Sequence, residues 1–151
     1  MSLGILKVAA VLEQAGVEVE MLDLSGVENY EEVVRDHVRS SVAMCYGQTA
    51  TTPQMPAATK VYRAIRLIRP EVRTILGGPH ETLILAAYKF EQKRGRDGCA
   101  TTAFHQLEEI FDVLITGDGK IAVFEALEDN NTLDGYSPSH IDYARPIHSL
   151  R

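Results

Sequence analysis

Glu71-Val72-Arg73-Thr74-Ile75-Leu76-Gly77-Gly78-Pro79-His80 decides the fold. A short β-branched and apolar run stops on two glycines and a proline, and helical sequence resumes over about residues 81–92. A strand that leaves a sheet, turns at its rim and returns as a helix reads this way. Upstream, Ala58, Val61, Tyr62, Ile65 and Ile68 recur on one side of a helix over about residues 55–68. Lys60, Arg63, Arg66 and Arg69 take its outer side and Pro70 stops it. Before it lies a short apolar strand over residues 41–47 and a helix over 30–38, with Glu31 and Glu32 in the first turn, where the helix dipole favours acids. A β-rich run over residues 17–24 predicts the first strand, and a helix over 3–15, closed by Gly16, opens the chain.

Downstream, residues 93–100 form a polar, glycine-containing excursion expected to be a mobile loop. A helix over 101–110, a strand over 112–116, the turn Gly117-Asp118-Gly119-Lys120 and a helix over 121–127 follow. The tail from residue 129 is polar and is expected to run over the surface as a linker. Helices alternate with short apolar strands, so the connections are crossovers and the sheet is mostly parallel, in a three-layer α/β architecture. Ligands of such sheets sit outside the carboxyl ends of the strands.

The 151 residues fit one ordinary domain, and 45% hydrophobic with 24% charged residues is a globular composition. No apolar run approaches the roughly 20 residues of a membrane span, so no membrane partner is expected. The net charge of −6 argues against nucleic acid as a partner. The charge is uneven: residues 60–96 hold nine Lys and Arg against three acids, whereas residues 1–36 hold eight acids against two bases. Cys45 and Cys99 cannot build a disulfide framework and match no zinc spacing, which points to a reducing cytoplasm.

The strand-end loops are rich in Gly, Thr and Pro and poor in groups that attack or shuttle protons. Gly-x-Ser-x-Gly is absent. Neither Gly77-Gly78-Pro79 nor Gly117-Asp118-Gly119 continues as a dinucleotide fingerprint, and the spacing around Lys120 is not that of a P-loop. His80 lacks partners at metal-ligand spacing. Two readings stay open on the residues alone. The glycines and threonines either form a platform for phosphate or amide groups, or serve only as turns and helix caps.

Leu3-Gly4-Ile5-Leu6, Ala9-Ala10-Val11-Leu12-Glu13-Gln14-Ala15-Gly16 and Val19-Glu20-Met21-Leu22-Asp23 together resemble the opening of the vitamin B12-binding domain that precedes the catalytic barrel in many radical S-adenosylmethionine enzymes. Ala50-Thr51-Thr52-Pro53-Gln54, Ile75-Leu76-Gly77-Gly78-Pro79-His80-Glu81-Thr82 and Phe111-Asp112-Val113-Leu114-Ile115-Thr116-Gly117-Asp118-Gly119-Lys120 resemble its later segments in order. Ile141-Asp142-Tyr143-Ala144-Arg145-Pro146 is similar to the linker into that barrel.

The resemblance implies a flavodoxin-like, Rossmann-like domain over residues 1–128, a linker over 129–151, and cobalamin as cofactor. The cofactor-binding residues it implies are Thr49, Ala50, Thr51, Thr52, Pro53, Gln54, Gly77, Gly78, Pro79, His80, Glu81, Thr82, Gly117, Asp118 and Gly119. It implies no catalytic and no metal-ligating residue, and the radical S-adenosylmethionine domain of a methyltransferase or related iron–sulfur oxidoreductase as partner. Cys-x-x-x-Cys-x-x-Cys is absent, so no iron–sulfur cluster is expected in this chain and none of that chemistry from it alone. Asp-x-His-x-x-Gly, which offers a histidine to cobalt in some relatives, is absent too, and Asp118 and Lys120 stand where the family tends to have glutamates. The family's first strand has no counterpart, so the chain resembles a fragment, and a homo-oligomer covering the gap is expected. The rival readings are an interaction domain that has lost its cofactor, with a cleft filled by side chains, and a small flavodoxin-like flavin protein.

Overall fold

The computed structural model describes residues 2–128 and 139–142. The elements run α1 (Leu3–Gln14), α2 (Tyr30–Ser40), β1 (Cys45–Thr49), a 3-10 turn (Thr52–Gln54), α3 (Met55–Ile68), β2 (Arg73–Gly77), α4 (Pro79–Lys93), α5 (Cys99–Ile110), β3 (Val113–Thr116), α6 (Gly119–Glu128) and β4 (Ser139–Asp142). The four strands lie in the order β1-β2-β3-β4, all parallel. Each described crossover passes through helices, so the class is α/β, as the alternation of elements requires.

Alternate residues of each strand feed opposite layers. Ile75, Val113 and Ile115 pack with Ala122, Val123 and Ala126 of α6, against Val8 and Leu12 of α1. Leu76 and Leu114 face Ala58 of α3, Leu85 of α4 and Phe104 and Leu107 of α5, around Phe111. A third cluster joins Val34 and Val38 of α2 to Ala64 and Ile65 of α3. Both faces of β2 and β3 are therefore covered, which explains why these strands read as continuous apolar runs. Among the described residues no helix is long and apolar enough to cross a membrane.

Four expectations differ from the structure. Residues 17–24 form no strand. A strand exists only through its neighbour's hydrogen bonds, and among the described residues no strand pairs with the outer edge of β1; of residues 17–24, Leu24 packs against the α2–α3 cluster. In the tail, Ser139–Asp142 pairs in parallel with β3 instead of running free over the surface, and satisfies that strand's far edge; residues 129–138 and 143–151 lie outside the described residues. The excursion before α5 is tied down by Glu91, whose carboxylate accepts from Gly98 N at 3.1 Å, Ala100 N at 3.2 Å and Thr101 N at 2.8 Å. Finally, α4 starts at Pro79, two residues early, because proline suits the first helical position after the Gly78 cap.

Candidate functional site

The parallel register sets Thr49 beside Gly77 and Gly77 beside Ile115. The loops after β1, β2 and β3 therefore all leave the carboxyl edge of one sheet, where the three predicted segments meet. Within that edge they divide into two parts.

The first two loops are bonded to each other. Ala50 N donates to Gly77 O at 3.2 Å, and His80 N donates to Ala50 O at 3.2 Å. Thr52 Oγ1 and His80 Nδ1 lie 3.0 Å apart. Gly78 sits at φ 121°, a conformation that disfavours any side chain. A Cβ there would also stand 2.6 Å from Thr49 Oγ1 and 3.0 Å from Ala50 O, so close approach of the two loops requires glycine. Thr51 and Gln54 close a capping box, with Thr51 N and Oγ1 both 2.9 Å from Gln54 Oε1, and Pro53 begins the turn they enclose. Thr82 Oγ1 donates to Gly78 O at 2.9 Å, and Glu81 is buried in the first turn of α4. Partial burial lowers the pKa of His80 below the ordinary imidazole value, so at neutral pH its ring is uncharged.

The third loop faces elsewhere. Gly117, Asp118, Gly119 and Lys120 line an open cleft of about 490 Å³ with Gly4, Lys7 and Val8 of α1. Gly117 turns at φ 75°. Asp118 Oδ1 accepts from Lys120 N at 3.2 Å, and its other oxygen lies 3.5 Å from Lys120 Nζ. A Cβ on Gly119 would meet Val8 Cγ2 at 3.4 Å. The cleft thus brings together the starts of two helices, α1 and α6, two lysines and a floor of glycines, a donor-rich surface suited to phosphate or amide oxygens.

Of the sequence-predicted residues, Gly117, Asp118 and Gly119 line this cleft, while those of residues 49–54 and 77–82 form the adjoining rim. Gly4, Lys7 and Val8 were not singled out from the sequence. A signal was present in Gly4: glycine inside a helix costs about 1 kcal/mol relative to alanine, yet a Cβ at Gly4 would meet nothing closer than Ser2 Oγ at 3.9 Å. No internal packing demands it, and the space above it belongs to the cleft.

Among the described residues no group of three or more His, Cys, Asp and Glu could hold a metal ion. Burial pushes the Cys45 thiol up to about 11, which marks it as a core group rather than a nucleophile. Comparison with curated proteins and with solved structures gives no match. A family model for the B12 binding domain matches residues 1–115, from the start of α1 into β3, and the chain belongs to that family.

Proposed function

We propose that this chain is a cobalamin-binding module that serves a separate catalytic domain of the radical S-adenosylmethionine class. The observation that carries the reading is the open, donor-rich cleft at the carboxyl edge of a chain that belongs to the B12-binding family. The residues present suit the cofactor's nucleotide tail, which bears a phosphate, hydroxyls and amides. Lys7 and Lys120 supply cations, the starts of α1 and α6 supply amide dipoles, and Gly4, Gly117 and Gly119 leave room. The macrocycle would spread over the rim formed by Thr49–Gln54 and Gly77–Thr82, whose loops are bonded to each other.

When bound, cobalamin supplies a cobalt centre able to carry a methyl group. This chain's residues bind and orient. Thr52 and His80 hold the rim through their mutual hydrogen bond, and Asp118 fixes the turn in front of α6. The cysteine triad of a radical S-adenosylmethionine enzyme is missing here, so the reacting partner is supplied by another domain. An interaction domain that had lost its cofactor would fill its strand-end cleft with side chains; the open cleft beside Gly4 favours the binding reading.

Titration of the purified protein with hydroxocobalamin, followed by gel filtration and visible absorbance, tests the proposal. Corrin absorbance co-elutes with the folded chain. Gly4→Leu places a side chain in the cleft on a helix that gains propensity from the change, so uptake falls at least about tenfold, or about 1.4 kcal/mol, while thermal stability holds. A folded wild-type protein that takes up no corrin at saturating ligand overturns the proposal.

A further inference from the structure

We infer that Asp118 makes the cleft between α1 and α6 selective for a ribose phosphate that keeps a free hydroxyl beside its phosphate. Lys7 and the start of α1 take the phosphate, and the Asp118 carboxylate accepts from the hydroxyl. The inference rests on the cobalamin reading for the natural ligand, whose tail carries such a ribose, and on the cleft alone for the chemistry. The two walls of the cleft differ in what they have left to offer. On the α6 side, Asp118 has taken up most of the helix start itself. Its Oδ1 accepts from Lys120 N at 3.2 Å, and its carbonyl oxygen accepts from Ile121 N at 3.2 Å and Ala122 N at 3.4 Å. A carboxylate already stands where an anion would bind, and a phosphate placed there would meet a like charge. On the α1 side, Ser2 Oγ accepts from Ile5 N at 3.4 Å and Ser2 O from Leu6 N at 3.4 Å. The amide of Gly4, second residue of that helix, comes too early for an intrahelical acceptor and bonds to no described group. Lys7 lines the same wall and enters no ion pair among the described residues.

The second oxygen of Asp118 lies 3.5 Å from Lys120 Nζ, longer than a charge-assisted hydrogen bond, and both side chains are about half exposed where they line the cleft. That oxygen therefore keeps acceptor capacity. An acceptor-only carboxylate set among cations suits a ligand that presents a donor next to an anion. Phosphate oxygens cannot donate, whereas a hydroxyl can. In a ribose phosphate the two groups sit on neighbouring ring carbons, so one ligand meets Asp118 and the α1 wall at once. An amide could donate to Asp118 as well, but it brings no anion for Lys7. A deoxyribose phosphate brings the anion and leaves the carboxylate facing it with no donor between them.

Amide NMR of the full chain, titrated with adenosine 3′-monophosphate and with its 2′-deoxy analogue, tests the inference. Uptake of hydroxocobalamin is measured beside uptake of cobinamide, which lacks the ribose and its phosphate. The ribonucleotide should shift the Gly4, Lys7 and Gly119 amides and bind about tenfold more tightly than the deoxy analogue, the difference expected of one hydrogen bond to a charged group. Hydroxocobalamin should likewise be taken up more tightly than cobinamide. Asp118→Asn keeps the shape of the side chain and its ability to cap a helix. It should abolish the preference, chiefly by strengthening binding of the deoxy analogue once the like charge is gone, and leave the melting temperature in place. A purely structural aspartate would not, on replacement, strengthen the binding of any ligand. Equal binding of the two nucleotides by the wild type, binding of neither, equal uptake of the two corrinoids, or a preference that survives Asp118→Asn overturns the inference. Corrin uptake combined with equal nucleotide binding would overturn it while leaving the cobalamin reading standing. A hydroxyl preference without corrin uptake would support the chemistry of the cleft, identify a free ribonucleotide as its ligand, and overturn the cobalamin reading alone.

Discussion

At the amino end of the sheet, the Asp112 carboxylate accepts from Thr74 N at 2.7 Å and Thr74 Oγ1 at 2.8 Å and pairs with Arg66, whose guanidinium also donates to Val72 O at 2.9 Å. At the carboxyl end the same strands run out into Gly77, Gly78 and Gly117 and into loops of threonine hydroxyls. The amino end turns its charges on the protein itself, joining α3, β2 and β3 through groups far apart in sequence. The carboxyl end fixes its loops with backbone and hydroxyl bonds and keeps Lys7 and Lys120 at the open cleft. One end of the layer is cross-linked by its own charges and the other keeps an open cleft.

The sharpest way to break this comparison is Asp112→Ala. It removes the carboxylate that accepts from Arg66 and from the Thr74 amide, in a site where the Arg66 and Asp112 side chains are 23% and 13% exposed. Removing one partner of a buried pair costs about 3 kcal/mol or more, which urea unfolding would read as a large drop in midpoint. Hydroxocobalamin uptake by the fraction still folded should not change. If it fell in parallel, the two ends would not be separable.

Gly78→Ala probes the other end and should cost somewhat less. A side chain at φ 121° is strained by about 1–3 kcal/mol, and its Cβ would press on Thr49 Oγ1 and Ala50 O. Because Thr49 Oγ1 is the nearer atom, Thr49→Ala should relieve part of the loss, so the double variant is more stable than the two single effects added. Strict additivity in thermal unfolding would show that the two loops do not meet there.

These two sites also mark what could be read in advance. The turn Gly77-Gly78-Pro79 was legible because local chemistry alone demands it, and the periodicity of Met55–Ile68 gave α3 its observed limits. Asp112 read only as the first residue of a strand, since its partners Arg66 and Thr74 lie 46 and 38 residues away. The segment 17–24 has strand composition, but strand formation depends on a neighbour that composition cannot reveal. The lining of the cleft by α1 escaped for a similar reason. It depends on how one helix lies against a distant turn, and only the unneeded glycine at position 4 hinted at it.

Glu91 carries the amino end's use of charge over to the joint between α4 and α5, with a smaller and pH-dependent effect. Its pKa is lowered first by the hydroxyl hydrogen bond from Thr101 Oγ1 at 2.7 Å, then by the Thr101 amide, with smaller contributions from the Ala100 and Gly98 amides. A carboxylate whose folded pKa lies below its unfolded value contributes stability that is fully present above the unfolded value, near 4.5, and is lost as pH falls through the lowered folded one. Glu91→Gln removes the charge at every pH. The variant should melt below the wild type at pH 7, and the gap should narrow progressively as the pH is lowered through the carboxylate range. Melting curves at matched ionic strength would show this. A gap of constant size across that range would mean that the side chain holds the start of α5 by shape and neutral hydrogen bonds, with no share for its charge.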